Sequence, residues 1–565
     1  MRRLAMLRGY QRSWLRGDLI GGVTVAAYLV PQVMAYATVA GLHPVAGLWA
    51  ALPALVIYAL LGSSPSLSMG PEATTALMTA IAIGPLAAAD SARYAELAAT
   101  LALLVGVMGI AAWLLRLGFV ADLLSRPVLI GYMAGVALIM IAGQLGRVTG
   151  VQVSGEEFIS QLRSFARGVS TAQPAVIVVA AAVLAFLVLL RWQWRNLPGP
   201  LLAVLLATAV VAAFSLHRHG VAVVGPIPAG FPAPHLPALH PAVLRMLLLP
   251  AFSVLIVGFS DDVLTGRSFA RRGEIINANR ELLALGVGNV GAGLVRGFPV
   301  SSSATRTAIA VTSGSRSQVY SIATAVTVVV VLLAARPVLA RFPTAALGAI
   351  VIYAALRLVD ITAFQRLFRF RRAELAIAIA ACAGVLVFNI LYGVLVAIGL
   401  SVADLLVRVA RPHDAIQGLV PGLAGMHDVD DYPEARTVPG LVVYRYDAPL
   451  FFANAEDFRR RALAAADQQR APLRWFVLNV EANVEVDFTA LEAMDAIRDE
   501  ITRRGAVFAL ARVKHDLLAR LQAFGIADKI GADRLYPTLP TAVDAFHQWA
   551  RQHPADNSPP ATGDP

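Results

Sequence analysis

The sequence predicts an α-helical polytopic membrane protein with a small α/β domain at its C-terminal end. Three observations lead there. First, 58% of the 565 residues are hydrophobic and mean hydropathy is +0.67, whereas ordinary soluble domains hold roughly 45–50% on a similar set. The excess lies before residue 411, in recurring apolar blocks near the roughly 20 residues that a bilayer-crossing helix needs. Second, charge divides at the same place. Residues 1–411 hold 31 arginines, no lysine and 14 acidic residues, a balance of +17; residues 412–565 hold 16 basic and 22 acidic residues, a balance of −6. Third, strand-like and helical patterns alternate after Arg411, which is the signature of an α/β domain.

The apolar blocks fall at about 18–41, 45–62, 72–88, 95–115, 127–145, 173–190 and 199–216, then at 247–265, 281–296, 302–312, 318–340, 343–357, 373–389 and 391–408. Seven plus seven gives an even number of crossings, so both termini lie on one side. If that side is the cytoplasm, Arg116, Arg126, "RWQWRN" (191–196), "RSFARRG" (267–273) and "RLFRFRR" (366–372) all fall in inside loops, as the positive-inside rule requires. The high pI therefore reflects topology and gives no argument for nucleic acid. The opening "MRRLAMLRGYQRSWLRGD" lacks a small-residue cleavage site and reads as retained cytoplasmic sequence. Cys382 is the one cysteine, so no disulfide framework exists. The loop at 217–245 carries His217, His219, His235 and His240 among prolines without acidic or cysteine partners, and is expected to be solvated rather than to hold a metal. "VSGEEFISQLRSFARG" (153–168) reads as an amphipathic surface helix.

Two blocks are too short. The third, behind "SLSMGP" (66–71), and the tenth, behind "GFPV" (297–300), each follow a Gly/Pro break and are the third members of their series. Short, interrupted segments at matching positions of two halves point to a transporter site at the bilayer midplane; re-entrant packing is the alternative. A helix beginning near Ser301 presents unpaired N–H groups and about half a positive charge, and an anion satisfies both. A second start near Glu72 doubles the effect if the two face each other. Ser301, Ser302, Ser303 and Thr305 add hydroxyl donors, and Arg306 adds a full charge that costs roughly 2.5–3.5 kcal/mol at a bilayer centre. In the first block Pro31 interrupts the helix, and Gln32 and Tyr36, four residues apart, share a face. Tyr36 by itself reads more often as a packing or interface residue.

"VPQVMAYATVAGLHPVAGLW" (30–49), "SLSMGPEATTALM" (66–78), "NRELLALGVGN" (279–289) and "GFPVSSSATRTA" (297–308) resemble the signature stretches of the SulP family of anion permeases. "VVYRYDAPLFFANAEDF" (442–458) resembles the family's cytoplasmic STAS domain, and the likeness runs over about residues 10–548. The resemblance implies fourteen spans in two inverted seven-span repeats, a core domain moving against a gate domain, and a homodimer. It divides the chain into a transport domain at 1–411, with repeats at about 15–218 and 245–410, a STAS domain at 412–554, and a disordered Pro-rich tail at 555–565.

Carried over residue by residue, the family's substrate site falls on Gln32 and Tyr36, on Gly70, Glu72 and Ala73 at the start of the third span, and on residues 301–306 of the tenth. The coupling carboxylate of the eighth span best matches Asp261 in "GFSDDVLTGR" (258–267), with Asp262 one residue away. Asn279, Glu281 and Asn289 read as structural and gate-related. Glu72 stands where a small or apolar residue is common in the family. It is favourable first-turn chemistry at a helix start, but ionised it would repel an anion; out of water and beside an anion, a carboxyl favours its protonated form. In "EVDFTALEAM" (485–494), Thr489 matches the phosphorylated position of soluble STAS relatives and also reads as a helix cap.

The expected function is secondary transport of an inorganic oxyanion across the plasma membrane. Sulfate with protons is the leading reading, with protonation of Glu72 or Asp261 accompanying the anion. Bicarbonate with sodium, held by Asp261 and Thr265, is the rival, and a dicarboxylate is third. An uncoupled channel or exchanger would use the same pocket but gain nothing from buried carboxylates. No phosphate-binding GxxxxGK[ST] loop, His/Cys metal cluster or nucleophile–base pair appears, so neither an enzyme nor a cofactor is expected. The N-terminus and the STAS domain are expected in the cytoplasm.

Overall fold

The computed structural model describes residues 10–87, 91–119, 125–155, 158–193, 197–228, 230–237, 240–271, 273–468 and 471–553. The tail at 555–565 and parts of the basic loops (residues 194–196 and Arg272) lie outside them. The chain forms two compact units that meet between Ser401 and Val402.

In the first unit the first series gives α1 (Leu15–Val39), α2 (Val45–Leu61), β1 (Met69–Gly70), α3 (Ala73–Ala87), α4 (Ser91–Leu114), α5 (Arg126–Thr149), α6 (Phe158–Gly168), α7 (Pro174–Gln193) and α8 (Gly199–Ala213). The second gives α9 (Pro241–Ser268), α10 (Ala278–Leu294), β2 (Ser301–Ser302), α11 (Ala304–Thr312), α12 (Val319–Ala334), α13 (Arg336–Leu339), α14 (Thr344–Leu358), α15 (Ile361–Phe370) and α16 (Arg372–Ala410). Among the described residues, helices cover all fourteen apolar blocks, and six are long and apolar enough to cross a membrane by length and composition. The last two blocks both fall within α16. A Cβ on Gly393 would nevertheless lie 2.7 Å from Val385 Cα, and one on Gly384 3.3 Å from a Val396 methyl. Residues eight apart on a straight helix are about 12 Å apart, so the chain doubles back between Val385 and Gly393.

Packing follows the two series. α12 packs on α1 and α2, and α4 packs on α9 and α10, which is the same pair of contacts with the series exchanged; α5 packs on α14. Each half therefore buries its faces mainly against the other. Small residues permit this close approach. A Cβ on Gly106 of α4 would sit 2.7 Å from Val290 N, and one on Gly286 of α10 would sit 2.8 Å from Ile110 N, so only glycine fits at either place.

The second unit contains β3 (Asp414–Leu419), β4 (Met426–Asp428), β5 (Leu441–Tyr446), α17 (Ala455–Asp467), β6 (Trp475–Asn479), α18 (Phe488–Arg503), β7 (Val507–Ala511), α19 (His515–Phe524), α20 (Ile526–Ile530), β8 (Leu535–Tyr536) and α21 (Leu539–Gln552). The sheet order is β4-β3-β5-β6-β7-β8, parallel from β5 to β8 and antiparallel at the β3 and β4 edge. Alternation along the strands sorts the core. Val442, Tyr444, Phe476 and Leu478 bury one face with α17 to α20, while Leu441, Val443, Trp475 and Val477 bury the other with α21.

Candidate functional site

The two short helices start side by side. β1 and β2 pair antiparallel, Met69 opposite Ser302 and Gly70 opposite Ser301, and Ser303 N–H donates to Ser68 O at 2.9 Å. Thr307 completes the join. Its hydroxyl accepts Ser68 N–H at 3.0 Å and donates to Ser303 O at 2.8 Å. Buried side chains hold this ribbon from behind. Asn289 donates to Val300 O at 3.0 Å and accepts Val300 N–H at 2.9 Å, and Asp262 Oδ1 accepts Ser302 N–H at 2.6 Å. Gln318 donates to Ser64 O and Leu67 O, both at 2.9 Å.

The helices begin slightly later than the sequence suggests, and this changes which donors are available. Ser301 and Ser302 are strand, α11 begins at Ala304 and α3 at Ala73. The N–H groups of Ser302 and Ser303 are taken by Asp262 and Ser68. The first intrahelical bonds are Thr307 N–H to Ser303 O at 2.9 Å in α11 and Ala76 N–H to Glu72 O at 3.0 Å in α3. The N–H groups ahead of them belong to Ala304, Thr305 and Arg306 on one helix and to Ala73, Thr74 and Thr75 on the other. Ser303 occupies the cap position of α11 without its side chain capping the helix. By contrast, Asn277, Asp360, Asp487 and Thr538 each cap their helices with a side-chain oxygen.

Arg306 stands between the two starts and is fully buried. Its Nη1 faces Pro71 O at 3.0 Å, Gln32 Oε1 at 3.4 Å and Glu72 Oε2 at 3.4 Å. Nε and Nη2 have no hydrogen-bond partner among the described residues. These two nitrogens form one edge of the guanidinium, the fork that takes two oxygens of an oxyanion at once. Gly70 lies against that edge, where a Cβ would come within 3.4 Å of Nη2. Gln32 in turn donates to Tyr36 Oη at 2.8 Å, so α1 contributes both predicted residues to the same cluster. The structure thus gathers Gln32, Tyr36, Gly70, Glu72, Ala73, residues 301–303 and Arg306, with half-buried Thr305 on the first turn of α11.

The eighth block divides its two carboxylates. Asp262, fully buried, is the one tied to the ribbon, and its Oδ2 has no partner among the described residues. Asp261 is half-buried, and Thr265 follows one turn later on α9. Sequence reasoning favoured Asp261, with a one-residue slip to Asp262 allowed, and did not single out Ser68, Thr307 or Gln318. It also passed over Asp18, whose carboxylate accepts Arg316 N–H at 2.7 Å and the Ser317 hydroxyl at 2.6 Å. Glu281 and Asn289 have structural partners: Glu281 accepts Tyr58 Oη at 2.9 Å and Ser63 N–H at 2.8 Å. In the second unit Thr489 is exposed, but it does not cap α18; Asp487 does, accepting Ala490 N–H at 2.8 Å.

Comparison with known proteins identifies the family. The sulfate permease family matches residues 15–381, and the STAS domain family matches residues 432–542. The chain is 58% identical over 547 residues to "Probable sulfate transporter MT1781" of Mycobacterium tuberculosis, covering 96% of this chain and 98% of that one. Its fold matches murine Solute Carrier 26 family member A9, an anion transporter solved in the inward-facing state, with a TM-score of 0.88 at 22% identity over 96% of this chain and 93% of that one. The transmembrane domain of the cyanobacterial bicarbonate transporter BicA matches with a TM-score of 0.60 at 28% identity, covering 70% of this chain and 98% of that one. With a family match over most of its length, the chain is a multi-pass membrane protein that belongs to the sulfate permease family.

Proposed function

We propose that this protein imports an inorganic oxyanion, most specifically sulfate, by proton symport, with the anion held between the starts of α3 and α11. One observation carries the reading: a fully buried arginine keeps one edge, Nε and Nη2, without a protein partner beside two helix starts. The first-turn N–H groups of the two helices and this fork suit an anion with several oxygens. Glu72 serves as the internal anion. Ionised, it pairs with Arg306; protonated, it releases the guanidinium and no longer repels the substrate. The proton and the anion then load together. The sulfate transporter with 58% identity supports the choice of substrate.

The test is uptake of labelled sulfate into proteoliposomes under imposed proton and sodium gradients, with Arg306→Ala and Glu72→Gln alongside the parent. Uptake independent of pH in the parent, and unchanged in Glu72→Gln, overturns proton coupling. Full activity in Arg306→Ala overturns the site.

A second reading has its own observation. Half-buried Asp261 and buried Thr265 lie one turn apart on α9, an oxygen pair suited to sodium, and the solved transporter BicA carries bicarbonate. Labelled bicarbonate uptake driven by sodium in the same vesicles, lost in Asp261→Asn, would favour it.

A further inference from the structure

α15 lies between the end of α14 and the start of α16, which are two apolar helices of the transport unit, and belongs to neither. No residue of it is buried. Asp360 starts it, its Oδ1 accepting Ala363 N–H at 2.9 Å, so the helix is fixed at its first turn rather than a frayed end of α14. At 100° per residue, Ile361, Phe364, Leu367 and Phe368 share one side, and Gln365, Arg366 and Arg369 share the opposite side. Arg371 and Arg372 follow directly. Ile361 is 66% exposed, Phe368 57% and Phe370 75%. Among the described residues, none of the four arginines pairs with a carboxylate; Asp360 is already engaged at the helix start.

Such a surface is stable neither in water nor within hydrocarbon. Its apolar side needs acyl chains and its guanidinium groups need anions, and the two needs lie within one ten-residue helix. A helix of this type lies in the plane of a membrane interface, and closely spaced arginines beside it match the phosphates of anionic lipids. A soluble anion would satisfy only the arginines. An acidic protein surface, such as the net-negative C-terminal unit offers, would likewise leave the phenylalanines bare. We infer that α15 is an interfacial helix and that its Arg366 and Arg369, with Arg371 and Arg372 directly after it, bind the headgroups of anionic lipids in the leaflet where α14 ends and α16 begins.

The test uses the full chain in nanodiscs of phosphatidylcholine alone or with one quarter phosphatidylglycerol. A single cysteine at position 368, in a Cys382→Ala background, carries an environment-sensitive dye. The expected result is quenching by lipids spin-labelled near the headgroup, together with phosphatidylglycerol co-purifying through detergent extraction. Changing all four arginines to glutamine should lower that retention several-fold without altering phosphatidylcholine retention, and changing all four to lysine should largely preserve it. A dye at position 368 that stays unquenched overturns the inference, as does a glutamine variant that keeps its phosphatidylglycerol. If the arginine changes alter uptake equally in pure phosphatidylcholine, their partner is a protein surface and the lipid assignment falls.

Discussion

α3 and α11 hold equivalent places in the two series and are joined by one ribbon, yet their first turns are chemically opposite. α3 is entered through Gly70, Pro71 and Glu72, which bring a close backbone, a missing N–H and an acid. α11 is entered through three serines and carries Arg306 on its first turn. Both expose helix N-termini, so the backbone contribution is shared; the side chains divide the labour. The second series supplies a buried arginine, and the first supplies a carboxyl; under the proposed function, these are the permanent cation and the group whose charge changes.

The largest test of that division is removal of the cation. Arg306→Ala leaves Glu72 buried without a counter-charge, and loss of one partner of a desolvated charged contact costs about 2–5 kcal/mol. We expect subsaturating sulfate uptake to fall on the order of 100-fold, read as initial rates in proteoliposomes. Next comes the acid. With Glu72 present, uptake should rise as pH falls, by up to about tenfold per pH unit while the carboxylate remains mostly ionised. Glu72→Gln should flatten that profile while retaining uptake, because glutamine mimics the protonated form. A flat profile in the parent would dissolve the contrast between the two helices.

A smaller effect is expected at Gly70. Valine there would cover Nη2 and crowd the fork, at roughly 1–3 kcal/mol; apparent affinity for the anion should drop about tenfold, with the amount of folded protein unchanged. The smallest effect sharpens the contrast between helices that keep their N-termini open and those that close them. Asp487→Ala removes a working cap and should cost about 1 kcal/mol of stability in the C-terminal unit, measurable by hydrogen exchange of α18 in the full chain. Ser303→Ala removes a side chain that caps nothing, so α11 should be no less protected.

Much of this was legible from composition and punctuation. Apolar runs of bilayer length, and the Gly/Pro breaks before the third and tenth, located the apolar helices of the transport unit and the two short ones, while α15 falls where the sequence reads as an inside loop. The strands β5, β6 and β7 announced themselves through β-branched and aromatic residues. Less legible was anything set by a one-residue register. Asp261 and Asp262 are neighbours in sequence but point different ways on α9, and only tertiary packing decides which meets the ribbon. The two-residue strands are too short to carry a period, so Ser301 and Ser302 read as the beginning of a helix. Thr489 and Asp487 are both plausible caps by residue type, and the choice depends on where the preceding loop turns. The edge strands β3 and β4 pair across a turn region of low strand propensity, which gave no pattern to read.

The ribbon between β1 and β2 also limits how the protein can move. Prying the two short helices apart would break the strand pairing, the Ser303-to-Ser68 bond and both bonds of the Thr307 hydroxyl in one step. At the far end of α1, a single side-chain bond reaches across, Arg147 Nη2 donating to Thr38 O at 2.7 Å. A cradle stitched so firmly cannot act as jaws. If the anion binds where proposed, it travels with the joined pair rather than being released by their separation.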